Sequence, residues 1–229
     1  MDRPSIQLAV EDFWLKRGEQ TEKLDDRGKA GGAARANGHM GSFTKMVAQE
    51  FRGAHLPDVR IADRQPYLPG YYRARKQWDL VIKYGDILVA AIEFKSQVGS
   101  VAKNINNRFE EALGTATDTH AAQLKNRAFG EVPPWLAYVF VLAETAETEQ
   151  SLRKPTALFP VDPVFHDLTY NQRYQEMLRR FIGDNIYQAG WFITTSRTLN
   201  SITYAEPLVT ATALAFQTAI KLTFRTSQT

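Results

Sequence analysis

Asp79, Glu93 and Lys95 stand in the run QWDLVIKYGDILVAAIEFKSQVGS, whose other residues are mostly those of strands and a turn. Charged side chains are costly to take out of water, so three of them among Trp, Val, Ile, Leu and Ala need a chemical reason. Two carboxylates, which only accept hydrogen bonds, and one ammonium group suit a hard divalent cation. Magnesium is often held by one or two carboxylates, with water and substrate phosphate filling its other positions. Such an ion lowers the pKa of bound water and neutralises charge on a phosphate under attack. The backbone carbonyl of Phe94 would add a neutral oxygen, and Lys95 would position the attacking water and stabilise the developing charge. The competing reading is structural: Asp79 beside a turn, and Glu93 and Lys95 a solvated pair on an edge strand, since surface charges are common. The apolar ILVAAI ahead of Glu93 leaves little room for a fully solvated strand.

Strand periodicity places Glu93 and Lys95 on one face, with Phe94 opposite. A turn at Gly85 and Asp86 makes the segment an antiparallel hairpin, in which the start of one strand lies beside the end of the other. Asp79 is therefore expected to converge with Glu93 and Lys95. Around this hairpin, Ile6, Val10, Phe13 and Trp14 predict an amphipathic opening helix. Alternating charges from Glu19 and a Gly/Ala-rich stretch to Gly41 predict a flexible loop, either a plain linker or one that orders on a ligand. SFTKMVAQEF predicts a second helix with Ser42 as N-cap, and VRIADRQPYLPGYYRARKQ a strand and an irregular approach to the hairpin. NNRFEEALGTATDTHAAQLKNRAF predicts a long helix, WLAYVFVLAE a strand covered on both faces, and LTYNQRYQEMLRRFIGDN an amphipathic helix. A short strand at GWFITTS and a final helix with Pro207 near its first turn complete the order. The expected class is mixed α/β (α+β), with no linker dividing residues 1–229, hence a single domain.

The flanks of the hairpin carry donors suited to phosphates. Arg73, Arg75 and Lys76, with Arg60, Arg64 and three tyrosines, concentrate positive charge upstream. Such side chains position a nucleic-acid backbone, or form an ordinary solvated basic loop. Downstream, Lys103, Asn104, Asn106, Asn107 and Arg108 come at the expected start of the long helix, where free N–H groups attract anions. Asn reads adenine, and Arg or Lys reads guanine, in the major groove; Asn also caps helices and turns. An additional metal role for Glu110 or Glu111 is the weaker alternative to a solvated helix face.

The 229 residues are 44% hydrophobic and 23% charged, an ordinary soluble composition. With 28 basic and 25 acidic side chains the net charge is only +3, so partners must be argued from where the charges sit. There is no cysteine, which excludes disulfides, zinc–thiolate sites and thiol catalysis. No signal-peptide pattern and no apolar run near the roughly 20 residues of a membrane span is present, so a cytoplasmic protein with no membrane partner is expected.

LPGYYRARKQWDLVIKYGDILVAAIEFKSQVGS, followed by NNRFEEALGTATD, resembles the XhoI family of type II restriction endonucleases. MGSFTKM, FPVDPVF and YNQRYQEMLRRFI extend the similarity over most of the chain. The resemblance implies the PD-(D/E)xK nuclease core, a mixed β-sheet flanked by helices, and Mg²⁺-dependent cleavage of double-stranded DNA. It makes Asp79 and Glu93 the metal-binding acids and Lys95 the motif lysine, with Trp78 where the nominal motif has proline. It also implies the palindrome CTCGAG, cleavage to 5′-phosphate ends, and a two-fold symmetric homodimer as its reader. The alternatives are a repair or recombination nuclease on the same fold, a non-catalytic DNA-binding module with structural carboxylates, and a helix-rich interaction protein.

Overall fold

The computed structural model describes residues 1–27, 37–53, 59–63, 66–152 and 155–224. Its elements are α1 (Arg3–Arg27), α2 (Gly41–Gly53), β1 (Val59–Ala62), β2 (Tyr67–Pro69), β3 (Arg75–Gln77), β4 (Leu80–Tyr84), β5 (Ile87–Gln97), α3 (Val101–Asn126), β6 (Trp135–Ala143), α4 (Ala146–Glu149), α5 (Tyr170–Gly183), β7 (Ala189–Arg197), β8 (Ile202–Ala205) and α6 (Ala213–Phe224). Six strands form one mixed sheet in the order β1-β4-β5-β6-β7-β8, and β2 and β3 form a separate two-stranded ribbon. Strands β5, β6 and β7 run parallel, and antiparallel pairs flank them on both sides.

The period-two pattern sorts the sheet into two faces. Ala90, Ile92 and Phe94 of β5 join Ala137, Val139 and Val141 of β6 in a core with Val10 and Phe13 of α1, Phe43 and Phe51 of α2, and Phe216 of α6. Ala91, Leu136, Tyr138 and Phe140 face the other way, against Ala112 and Ala116 of α3 and Tyr174 and Leu178 of α5. Every residue of β6 is buried, as a central strand covered on both faces requires. Gly190 lets α5 come close to β7: a Cβ there would lie 2.9 Å from Leu178 Cδ1. The expected mixed sheet flanked by helices is thus the observed architecture.

Several expected boundaries shift for identifiable reasons. The opening helix continues through Arg27, and residues 37–40 form a 3₁₀ turn; the rest of the anticipated loop, 28–36, lies outside the described residues, as does Arg64. Ser42 does not cap α2. It lies inside the helix, and its hydroxyl donates to Asp12 Oδ2 at 2.5 Å. The approach segment contains the β2–β3 ribbon, anchored by buried Leu68. The strand expected at GWFITTS spans nine residues and is central, and β8, not anticipated, pairs beside it. The final helix begins at Ala213, well after Pro207. Thr212 Oγ1 accepts the Ala215 N–H, and Glu206 Oε1 accepts the Ala213 N–H, so two side chains satisfy the helix start.

Candidate active site

The hairpin closes through Gly85, in the left-handed region at φ +55°, and Asp86. Strand β4 pairs with β5 from Tyr84↔Ile87 to Leu80↔Ile92, with a bulge that leaves Val89 unpaired. Beyond Leu80↔Ile92 the ladder ends. There Asp79 Oδ2 accepts the Phe94 N–H at 2.8 Å, in place of a strand partner. Because N–H and C=O of one strand residue project to the same side, the Phe94 carbonyl also points toward Asp79. The phenyl ring of Phe94 is buried in the opposite core. Asp79, Glu93 and Lys95 therefore come together at the carboxyl end of β5, on the face that carries α3. Open α/β sheets place ligands outside such strand ends.

Glu93 is 3% exposed, and both its oxygens are engaged. Oε1 accepts from Lys95 Nζ, and Oε2 accepts from Lys76 Nζ at 2.7 Å. Burial pushes the Glu93 carboxyl pKa up, but the ammonium groups of Lys95 and Lys76 outweigh it and hold it below its ordinary value. For Lys95 burial works downward, and Glu93 and Asp79 more than offset it, so this side chain is an ammonium donor rather than a base. Lys76 also donates to the Gln77 carbonyl at 2.7 Å and lies 5.1 Å from the ring of buried Trp78. The tryptophan that replaces the nominal proline thus supports a lysine of the site.

These groups line a cleft of ≈ 850 Å³. Five cationic side chains (Arg17, Arg73, Lys76, Lys95, Arg108) face five acidic ones (Asp79, Glu93, Glu110, Glu111, Asp118) across it. His39 Nε2 is 2.9 Å from Ser96 Oγ on the cleft wall. Burial, with the nearby Arg17, lowers its pKa to about 4, so it adds no positive charge at neutral pH.

The expected DNA-contacting residues divide. Arg73, Lys76 and Arg108 line the cleft; Arg108 donates to Gln97 and Glu111 there. Arg75 is exposed outside it, with its guanidinium 4.3 Å from the Tyr67 ring centroid. Lys103, Asn106 and Asn107 are exposed on α3, away from the cleft. Asn104 donates to the Ser100 carbonyl at 2.8 Å. Helix α3 starts at Val101, so these residues lie within its first two turns and none is its N-cap. Its Ala102 N–H already has an anion, Glu147 of α4, at 2.8 Å. The helix start is therefore served by the chain's own carboxylate, contrary to the expectation of an open anion site.

Asp118 went unnoticed in the sequence, because nothing local marks it. It is 4% exposed on α3, and it accepts the N–H groups of Tyr71 and Tyr72 at 2.8 Å each and Arg73 Nε at 2.7 Å. Burial raises the Asp118 pKa, but these hydrogen bonds outweigh it and keep the value low. A Cβ at Gly70 would lie 2.3 Å from Asp118 Oδ2, so only glycine lets the loop close on the carboxylate. Asp118 thus fixes Arg73 and the exposed Tyr72, both of which line the cleft. Asp118→Ala should raise KM for a duplex about tenfold and change kcat little, because the groups at Glu93 stay in place. It should also lower stability by about 1–3 kcal/mol, since two N–H groups and a guanidinium lose their acceptor. Steady-state cleavage with a thermal melt measures both.

A mixed sheet flanked by helices, with paired carboxylates and a lysine at a strand's carboxyl end, is the architecture of a restriction-endonuclease-like fold. The family model "Restriction endonuclease XhoI" matches residues 17–206. The chain is similar to the type II restriction enzyme XhoI of Xanthomonas vasicola, 34% identical over 181 residues that cover 76% of this chain and 73% of that enzyme. It is also similar to the type II restriction enzyme BstVI of Geobacillus stearothermophilus, at 32% over 72% and 77% of the two chains. The type II restriction enzyme AbrI of Azospirillum brasilense is 36% identical over 62% of this chain and 67% of its own. No solved structure matches. The chain belongs to the XhoI family of restriction endonucleases, and is a nuclease of the type II restriction class, a site-specific deoxyribonuclease.

Proposed function

We propose that this enzyme hydrolyses phosphodiesters of double-stranded DNA at CTCGAG, using Mg²⁺ and leaving 5′-phosphate ends. The observation that carries the reading is the convergence of Asp79, Glu93 and Lys95 in one cleft, with Asp79 on the Phe94 N–H. The donor set fits a hard cation: Asp79, Glu93 and the Phe94 carbonyl supply oxygens only. Among the described residues no cluster of three or more His, Cys, Asp or Glu side chains forms a metal cage, and a Mg²⁺ site of this kind takes its remaining oxygens from water and phosphate. Among the described residues, five cations balance five anions along the cleft, so a divalent ion there also favours entry of a phosphate.

When bound, Mg²⁺ supplies an acidified water and charge neutralisation at the phosphate. The chain supplies the rest. Glu93 holds Lys95 in place, and Lys95, kept protonated, donates to the attacking water and to the phosphate oxygen as charge builds. Arg73 and Arg108 hold the flanking phosphates from the two walls of the cleft. Arg75, Lys103, Asn104, Asn106 and Asn107 extend the DNA-contacting surface beyond the cleft, where a duplex presents its grooves. A palindromic site calls for a homodimer with one cleft per strand, each subunit folding residues 1–229 as a single domain and acting in the cytoplasm. Among the described residues no helix is long and apolar enough to cross a membrane.

Digestion of a plasmid carrying one CTCGAG in Mg²⁺, followed by sequencing of the ends, tests the reading. One discrete cut at that site, with 5′-phosphates, is expected. Discrete cuts elsewhere would retire the CTCGAG assignment, and random-length products would contradict sequence-specific cleavage.

A further inference from the structure

The two ammonium groups on Glu93 are not equivalent. Lys95 lies two residues along the same strand, on the same face and inside the sheet, and it also feels the Asp79 carboxylate. Lys76 comes from another element, the ribbon of three-residue strands β2 and β3 that packs beside the sheet through Leu68. Its amino group holds Glu93 Oε2 at 2.7 Å and, independently, the Gln77 carbonyl at 2.7 Å. Its ammonium nitrogen also lies 5.1 Å from the Trp78 ring centroid. Lys76 can therefore leave the carboxylate and keep a hydrogen bond and the nearby ring. Arg73, 43% exposed, lines the same cleft and could meet an entering phosphate.

We propose that Lys76 holds the divalent cation's place on Glu93 and so keeps the protein, without DNA, from binding the ion tightly. This rests on the reading that Asp79 and Glu93 hold the metal. With Lys76 and Lys95 each on one oxygen, Glu93 has no unengaged oxygen to offer, and a dication beside two ammonium groups is repelled by both. A phosphate arriving past Arg73 offers Lys76 another acceptor. Its departure frees Glu93 Oε2 for the ion, while the phosphate brings further oxygen ligands. Metal and DNA then strengthen one another's binding, and by linkage the two effects are equal. The consequence for the cell is an enzyme whose cutting centre is completed only on DNA.

The test is Mn²⁺ binding to the full chain without DNA, read by electron paramagnetic resonance of the free ion. Wild type, Lys76→Met and Lys76→Arg are compared, each with and without Asp79→Asn. Methionine removes the charge while keeping an unbranched side chain of similar length, and arginine keeps the charge. Lys76→Met should bind Mn²⁺ about tenfold more tightly than wild type, by removal of a nearby unit charge. Lys76→Arg should stay near wild type, and Asp79→Asn should erase the gain. If Lys76→Met binds no more tightly while Asp79→Asn still weakens binding, the role of Lys76 is overturned and the metal site stands. If Asp79→Asn has no effect in any background, the metal site itself is misassigned, and the inference falls with it.

Discussion

Lys95→Ala should yield a protein that folds, binds its duplex and fails to cut it. The lysine is buried enough that its removal alters the site, yet Glu93 keeps a partner, because Lys76 remains at 2.7 Å. The fold therefore does not inherit an unpaired buried carboxylate, the usual source of large instability. On the proposed mechanism, what is lost is a protonated donor aimed at the charge that develops on the phosphate. Removing one such donor lowers the rate by about 10²–10³-fold. Single-turnover cleavage beside an electrophoretic binding assay separates the two effects. Cleavage at the wild-type rate would remove Lys95 from the chemistry.

Glu93→Gln should be the more damaging substitution, since it strikes both function and fold. The carboxylate neutralises two ammonium groups in a place almost closed to water. With an amide there, Lys76 and Lys95 each lose the carboxylate they are paired with. Breaking a buried ion pair from one side costs about 3–5 kcal/mol, and a chain of this size loses about 2–4 °C of Tm per kcal/mol. Cleavage should fall by about 10³-fold or more, because the carboxylate we propose as a metal ligand loses its charge. The acid limb of the stability curve should change as well. In the folded protein the Glu93 pKa is depressed below the ordinary 4.5. Its contribution is therefore fully present above about 4.5 and is lost as pH falls through the lower folded value. Glu93→Gln should flatten that acid-side loss. Thermal melts across the acid range for both proteins would show it, and parallel curves would mean that Glu93 is not the group responsible.

Much of this site was legible in the sequence because it rests on local rules. Alternation along β5 put Glu93 and Lys95 together and turned Phe94 away, and the turn at Gly85 brought Asp79 back to their level. The continuous apolar run of β6 announced a central strand, and Thr169 with Gln172 forms the capping box that opens α5 where its amphipathic pattern begins. The parts that escaped depend on contacts between distant segments. Lys76 looked like one of several basic residues on a loop; only the ribbon anchored by Leu68 turns it onto Glu93. Asp118 lies in the middle of a long helix with no pattern to distinguish it, and its partners are more than forty residues away. The start of α3 was misplaced because Ser100 adopts a left-handed conformation at φ 52° with no side-chain cap. Arg17 and His39 reach the cleft wall from α1 and the following 3₁₀ turn, where helical periodicity speaks only of packing.

The central claim is that the carboxylates joined at the end of this hairpin bind the ion that cuts DNA. Asp79→Asn tests it with little structural disturbance, because an asparagine oxygen can still accept the Phe94 N–H. Single-turnover cleavage measured across a Mg²⁺ titration should show a large loss of rate, with a midpoint moved to higher Mg²⁺. A titration curve that overlays the wild type would contradict the account.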